Sequence, residues 1–216
     1  MAADLLFLTV RIRTLEHLSA TPTMNEAAPA TSPESTSRAA PGLLIAVPGL
    51  LDPNFFHTVI LMIDHSQEGA MGLVLNRPGT TTIAELCADQ GITSDRELPV
   101  RVGGPVAQER VWVLHNSREN LEDRVEITEG IWLSYTQPTL ARLAQSDARF
   151  LLLAGHAGWG PGQLECEIED GAWLLFPVSE PLILDSDPEV MWEQLIVRFG
   201  NLGSGIVGLQ TRTDLN

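Results

Sequence analysis

One segment of this sequence combines residue types that bind ligands with glycines that let a ligand approach the main chain. It runs from Gly155 to Gln163 with the letters GHAGWGPGQ, and it contains His156 and Trp159. Glycine adopts positive φ angles at little cost and allows close backbone approach. Histidine can titrate near neutral pH, and tryptophan offers a large flat ring for stacking. The segment is therefore a candidate ligand site.

A structural interpretation of the same segment stays open beside the ligand site. We predict that the segment joins a strand at Arg149–Ala154 to a helix at Gln163–Glu169, where backbone N–H groups can form an anion-binding concavity. Gln163 could then hydrogen-bond a ligand. Alternatively the glycines only permit a tight corner, Trp159 fills the core, and Glu165 complements the positive end of the helix.

Two earlier segments supply further candidate binding residues. His65 follows a predicted strand at Thr58–Asp64, where it could act as a base or hydrogen-bond the backbone of the turn. Asn76 ends the next predicted strand, a position where asparagine commonly shapes turns. Gly103 and Gly104 precede a proline, so they permit either close backbone approach or a bend.

Neither a metal site nor a cofactor site is predicted. The five histidines and two cysteines show no HxH, HxxxH or CxxC spacing, which are patterns typical of metal ligands. The chain has no GxSxG nucleophile motif. Gly203–Gly208 spells GxGxxG, but it follows a predicted helix with only eight residues after it, so no dinucleotide-binding unit can form around it. We assign no catalytic residue, metal or cofactor.

The charge balance excludes several classes of function. The chain carries 13 basic residues, all arginine, against 28 acidic ones, for a net charge of −15. Without lysine there can be no Schiff base and no P-loop lysine. Direct nucleic-acid binding is not expected, because it requires a basic face.

No apolar run reaches the roughly 18 residues that cross a bilayer, and Leu5–Leu8 is too short for a secretory signal. We therefore expect a cytoplasmic protein without a membrane segment.

The spacing of the apolar runs indicates the fold class. The predicted strands arrive in hairpin-like pairs and outnumber the helices, which favours an α+β fold with a largely antiparallel sheet. Helices are expected from Thr82 to Gln90, Gln137 to Gln145, and Asp187 to Phe199 with Gly200 as the stop. Residues 1–40 are predicted to form a disordered extension, with Met24 as an alternative start. A single domain at 41–200 and a flexible tail at 201–216 complete the chain.

Three motifs resemble the AlgH/YqgE family of bacterial proteins. They occur in the family's order over most of residues 41–200 and comprise Asp64–Pro78, Gly103–Val106, and Gly155 to Glu167, with Trp173 and Trp192 at matching aromatic positions. The resemblance implies a curved, largely antiparallel sheet surrounded by helices. It brings no established biochemical activity, although relatives are often labelled transcriptional regulators. His156 departs from the family pattern, which often has tyrosine there.

Two hypotheses about function follow from these observations. The first is a non-catalytic binding or regulatory module that holds a protein partner or a small ligand near His65, Gly103–Gly104 and Gly155–Gln163. The alternative is an enzyme or ligand sensor with a pocket formed by the GGP and GHAGWGPGQ segments. That alternative requires His65, Asn76, His156, Gln163 and Glu165 to line one cavity.

Overall fold

The computed structural model describes residues 40–210, and it describes side chains for residues 40–200. Ten strands lie at Gly42–Ala46 (β1), Val59–Ser66 (β2), Gly69–Val74 (β3), Pro78–Thr82 (β4), Pro99–Val102 (β5), Val106–His115 (β6), Val125–Thr128 (β7), Ile131–Ser134 (β8), Phe150–Trp159 (β9) and Trp173–Phe176 (β10). Five helices lie at Ile83–Asp89 (α1), Gln137–Ala144 (α2), Gln163–Glu169 (α3), Glu180–Leu184 (α4) and Met191–Gln210 (α5). The predicted disordered extension and its start at Met24 lie outside the described residues, except for Ala40, as do residues 211–216.

The strands form one open sheet. Its order is β10-β1-β2-β3-β9-β6-β8-β7, with β5 beside β9 and β4 beside β5. Every pairing among the described strands is antiparallel except the one between β5 and β9. The predicted α+β class with a largely antiparallel sheet is therefore confirmed.

Helices cover both faces of the sheet because the strands bury residues on both faces. On one face, the core formed by β1, β2, β3, β6, β8 and β9 packs against α4 and α5, with Ile183, Trp192 and Leu195 as contacts. On the other face, α3 inserts Leu164 into the β1–β3 half. Helices α1 and α2 cover the half of that second face that carries Leu152. Below, the first is called the α5 face and the second the α3 face.

Strand β9 joins the two halves of the sheet and contains a bulge. Its first part pairs with β6 and β5, whereas Ala157–Trp159 pairs with β3. Leu152 and Ala157 both pack on the α3 face, although strict alternation would put residues five apart on opposite faces. The extra residue coincides with Gly155, whose φ is +76°. A glycine bulge of this kind re-aims the side chains that follow it.

Helices α1, α2 and α3 match the sequence patterns that predicted them. Thr82 caps α1, accepting a hydrogen bond from the Glu85 N–H while the Glu85 carboxylate accepts one from the Thr82 N–H. This capping box satisfies two N–H groups that a helix start leaves unpaired. Pro138 lies in the first turn of α2, where its missing N–H costs nothing. Helix α3 has the predicted bounds.

Two predictions about elements are wrong, and three short elements were missed. Gly200 does not stop the last helix, since α5 starts at Met191 and its backbone continues to Gln210. The glycine segment is not wholly a connector, because Gly155–Trp159 belongs to β9. Strands β4 and β7 and helix α4 were not anticipated, since each is only four or five residues long and too short for a clear periodicity.

Candidate functional site

The glycine segment and the GGP segment meet through their backbones. The Gly103 N–H donates to the Ala154 carbonyl oxygen over 2.7 Å. A Cβ added to Gly103 would lie 2.5 Å from the Gly155 carbonyl oxygen, and one added to Gly104 would overlap the backbone of His156. These glycines are needed because two main chains pack directly against each other. No room for even a methyl group remains between the two segments at these positions.

The rest of the glycine segment anchors α3 through one carboxylate. Glu167 accepts hydrogen bonds from the indole N–H groups of Trp159 and Trp173 at 2.9 and 2.8 Å and from the Gln163 amide at 2.9 Å. Gln163 in turn accepts from the Gly160 N–H at 3.1 Å. Hydrogen bonds to an ionised acceptor are stronger than neutral ones. Glu167 therefore satisfies the polar groups of this corner within the protein.

Trp159 lies in the core at this corner. Its side chain is 5% exposed, and its ring contacts Phe55 and Trp173 at centroid distances of 6.0 and 6.1 Å. Aromatic groups of the protein thus occupy its surroundings. The position of Trp159 is the one expected if this residue fills the core.

His65 and Glu165 form a polar pair between β2 and α3. His65 lies inside β2, one residue before its end, and its Nε2 is 3.0 Å from the Glu165 Oε1. The His65 side chain is 3% exposed and that of Glu165 is 29% exposed. A backbone hydrogen bond, together with the contact to His65, holds the pKa of Glu165 below its usual value. The pair ties β2 to the first turn of α3.

Asn76 fixes a loop by using both ends of its amide. Its Oδ1 accepts from the Val59 N–H, and its Nδ2 donates to the His57 carbonyl oxygen, each over 2.8 Å. The neighbouring Arg77 donates to the carbonyl oxygens of Pro53 and Phe56. These bonds hold residues 53–59 in place beside an open cleft of about 320 Å³.

A different set of polar groups gathers on the α5 face, where β6 meets β9. Arg110 and Trp112 are two residues apart on β6 and so project from the same face. The rings of Trp112 and His156 meet edge to face at a centroid distance of 6.4 Å, and Tyr135 contacts Trp112 at 6.2 Å. Burial and the Arg110 charge lower the pKa of His156, with Glu109 opposing them.

The hydrogen-bonding capacity of this group is unmet. Arg110 Nε, Trp112 Nε1 and His156 Nδ1 are buried and have no hydrogen-bond partner among the described residues. Trp112 is 4% exposed, whereas Arg110 and His156 are half-buried. An unsatisfied buried donor costs about 1–3 kcal/mol, so such a group in a folded protein calls for a physical reason. We refer to these three residues as the Arg110–Trp112–His156 cluster.

The family model described as AlgH-like matches residues 43–202 of the chain. The chain belongs to the AlgH-like family. A UPF0301 protein of Myxococcus xanthus is 41% identical over 165 residues, covering 74% of this chain and 91% of that protein. A second UPF0301 protein, from Thioalkalivibrio sulfidiphilus, is 38% identical over 162 residues, which are 73% of this chain and 87% of its own length.

Solved structures agree with the family assignment. The solution structure of the AlgH protein from Pseudomonas aeruginosa superposes with a TM-score of 0.64 at 32% identity, covering 86% of this chain and 100% of that one. A crystal structure of a Corynebacterium diphtheriae protein superposes with a TM-score of 0.62 at 22% identity, covering 81% of this chain and 90% of its own. The second likeness shows the fold alone. The predicted family and fold are thus confirmed.

The eight candidate residues of this AlgH-like chain fall on both sides of the sheet. His65, Ala70 and Trp159 occupy one row of paired residues across β2, β3 and β9, so their side chains share the α3 face. His156 lies on the opposite face, in contact with Trp112. Three open clefts, of about 640, 610 and 320 Å³, have neither His65 nor His156 in their linings. Among the candidates, Asn76 lines the smallest of the three.

Sequence reasoning missed Arg110, Trp112 and the role of Glu167. The strand pattern already placed Arg110 and Trp112 on one face, but the contact with His156 was hidden, because the glycine segment was expected to be a connector. The glutamate belongs to the family motif, and its spacing of four from Gln163 on a helix was the available signal.

Within residues 40–210, no three His, Cys, Asp or Glu side chains gather to hold a metal ion, and no helix has the length and apolar character to span a membrane.

Proposed function

We propose that this AlgH-like chain is a cytoplasmic, non-catalytic binding module that takes a small ligand at the Arg110–Trp112–His156 cluster. The observation that carries the proposal is the set of three unpartnered nitrogens on one face. Polar groups at the α3 corner have partners in Glu167 and Glu165, so they do not need a ligand to complete their hydrogen bonds.

The surroundings of the cluster support a ligand role. Arginine is rarely buried without a partner, yet Arg110 makes no ion pair with any described residue. The Trp112 and Tyr135 rings add apolar surface beside the polar atoms. A few convergent polar groups against aromatic walls are typical of small-molecule sites.

Regulation through a protein partner remains compatible with this proposal. A ligand-occupied module could bind such a partner and act on transcription indirectly. Direct contact with DNA is not part of the proposal, because the net charge is −15 and duplex DNA repels acidic surfaces.

The proposal is tested by thermal unfolding of the full chain against a panel of metabolites, nucleotides and metal ions. A ligand at about 100 times its Kd should stabilise the fold by about 2.7 kcal/mol. We expect a hit whose effect is lost in Trp112→Phe and retained in Trp132→Phe, a control on β8. A hit lost in Trp159→Phe but retained in Trp112→Phe would contradict the proposed location.

The enzyme hypothesis keeps one specific observation in its favour, the His65–Glu165 pair. A carboxylate that orients a histidine is the arrangement found beside many nucleophiles and general bases. We propose this only as the second candidate, since Glu165 and His65 also link β2 to α3. Turnover of any panel compound that disappears in Glu165→Gln, with the fold retained, would place the enzyme hypothesis first.

A further inference from the structure

The polar groups of the Arg110–Trp112–His156 cluster specify a class of ligand. Arg110 Nε and Trp112 Nε1 each carry an N–H that can only donate. Both lack an acceptor among the described residues. Whatever completes this site must therefore supply acceptor atoms to two donors that project from the same face of β6.

The charge of the cluster narrows the class further. The guanidinium of arginine is a cationic group, and no described carboxylate pairs with Arg110. Glu109 is close enough to influence the pKa of His156, but it forms no hydrogen bond with Arg110 among the described residues. An anionic ligand would thus neutralise a half-buried guanidinium, and a planar carboxylate matches its geometry.

We propose that the Arg110–Trp112–His156 cluster binds the carboxylate of a small molecule, with the aromatic rings of Trp112 and Tyr135 against the body of that molecule. This inference rests on the proposed function and names its ligand class. One guanidinium balances one carboxylate, whereas a dianionic phosphate would leave an excess negative charge in a protein that is already at −15.

Access to the site runs past side chains that can move. Tyr135 is 38% exposed and stands beside the buried Trp112, while His156 is half-buried. Exposed side chains change rotamer within nanoseconds, so the Tyr135 ring can move away from Trp112 without a change in the sheet. The remaining buried nitrogen without a described partner, His115 Nδ1, belongs to a fully buried side chain on the α3 face and has no such route.

The test uses benzoate as the carboxylate probe and benzamide as its neutral match. For a ligand of this size we expect a Kd on the order of 1 mM, measured on the full chain by NMR titration of the His156 ring protons. Benzamide should bind at least about tenfold more weakly, since hydrogen bonds to an ionised acceptor are roughly twice as strong.

Variants separate the site from general charge effects. Arg110→Gln should weaken benzoate binding by about tenfold or more, and Arg110→Lys should weaken it less. Arg118→Gln, which removes an exposed arginine from the loop after β6, should leave Kd unchanged. Equal losses in Arg110→Gln and Arg118→Gln would overturn the inference, as would equal binding of benzoate and benzamide.

The outcomes also distinguish this inference from the proposed function. If uncharged compounds shift the His156 signals and carboxylates do not, the carboxylate inference fails while a ligand site at the cluster stands. If benzoate and the whole metabolite panel leave those signals unmoved in a folded protein, both fail. Thermal midpoints of each variant, measured without ligand, show whether the fold is retained.

Discussion

Two groups of aromatic and polar residues, one on each face of the sheet, use the same kinds of side chain in opposite ways. At the α3 corner, Glu167 accepts from Trp159 and Trp173, so two buried indoles are satisfied by the protein itself. On the α5 face, where β6 pairs with β9, Trp112 is equally buried, and its indole N–H has no acceptor among the described residues. In this structure the hydrogen bonds of the glycine-rich family motif hold β9 and α3 together. The candidate for ligand binding lies across the sheet, where only His156 represents that motif.

The largest effect is expected where the two glycine segments touch. Gly104→Ala should destabilise the fold by more than about 3 kcal/mol, because its Cβ would overlap the His156 backbone and its φ of +154° disfavours a side chain. Gly162→Ala is the matched control, since Gly162 also has a positive φ but nothing within 4 Å of the added Cβ. It should cost about 1 kcal/mol. Similar losses in chemical denaturation would show that backbone approach does not matter at Gly104.

Removing the carboxylate that serves the α3 corner should have the next largest effect. Glu167→Ala should cost about 2–4 kcal/mol, because it leaves the indole N–H groups of Trp159 and Trp173 buried without an acceptor. Glu169→Ala removes an exposed carboxylate from the same helix and should change the unfolding free energy by less than about 0.5 kcal/mol. If urea unfolding gave the two variants equal stability, Glu167 would not have the role assigned to it.

The stability of the fold should depend on pH through His115 on β6 more than through His156 on β9, which lies on the opposite face of the sheet. His115 is fully buried, and burial lowers its pKa to about 4, with Asp123 opposing the effect and Arg124 adding to it. The unfolded chain binds this proton near pH 6.5, so its stabilising contribution is complete above that pH and is lost as the pH falls towards 4. The loss should reach about 2 kcal/mol by pH 5.

The control for that prediction is His115→Gln, which cannot titrate. Its unfolding free energy should fall less steeply than that of the natural protein between pH 6.5 and 4. His156→Gln should alter the slope less, since His156 is only half-buried. A slope unchanged in His115→Gln would mean that other groups cause the acid sensitivity.

A pair of tryptophan variants compares the two aromatic clusters directly. Trp112→Phe and Trp173→Phe remove the same atoms from side chains that are both 4% exposed. Trp173→Phe also loses a hydrogen bond to a carboxylate, so it should cost about 1.5–3 kcal/mol more. If denaturant unfolding showed equal losses of unfolding free energy in the two variants, with the same dependence on denaturant concentration, the Trp112 N–H would have a partner in solution.

Much of the fold was accessible from the sequence because its signals are local. Thr82 and Pro138 mark helix starts by their own chemistry, and the apolar runs predicted strands at the positions of β1, β2, β3 and β9. The course of β9 beyond Ala154 was not accessible, since four glycines in eight residues are typical of a turn. Here the first of them, Gly155, forms a bulge and packs against the backbone of Gly103 and Gly104, which only long-range pairing produces.

The candidate site was less accessible than the fold. The sequence identified His65, His156 and Trp159 by residue type, but it could not tell which face of the sheet each occupies. A one-residue bulge at Gly155 reverses that assignment for everything after it. Arg110 and Trp112 carried no motif, and what singles them out is the absence of a partner in three dimensions.

The most direct test is a two-dimensional ¹⁵N–¹H NMR spectrum of the tryptophan indoles, recorded with and without a compound that stabilises the protein. The five tryptophans of the chain give one indole signal each. We predict that the Trp112 signal shifts on binding, while the signals of Trp159 and Trp173 stay in place because Glu167 holds them. Shifts at Trp159 or Trp173 with an unmoved Trp112 signal would contradict the account and return the ligand to the glycine segment.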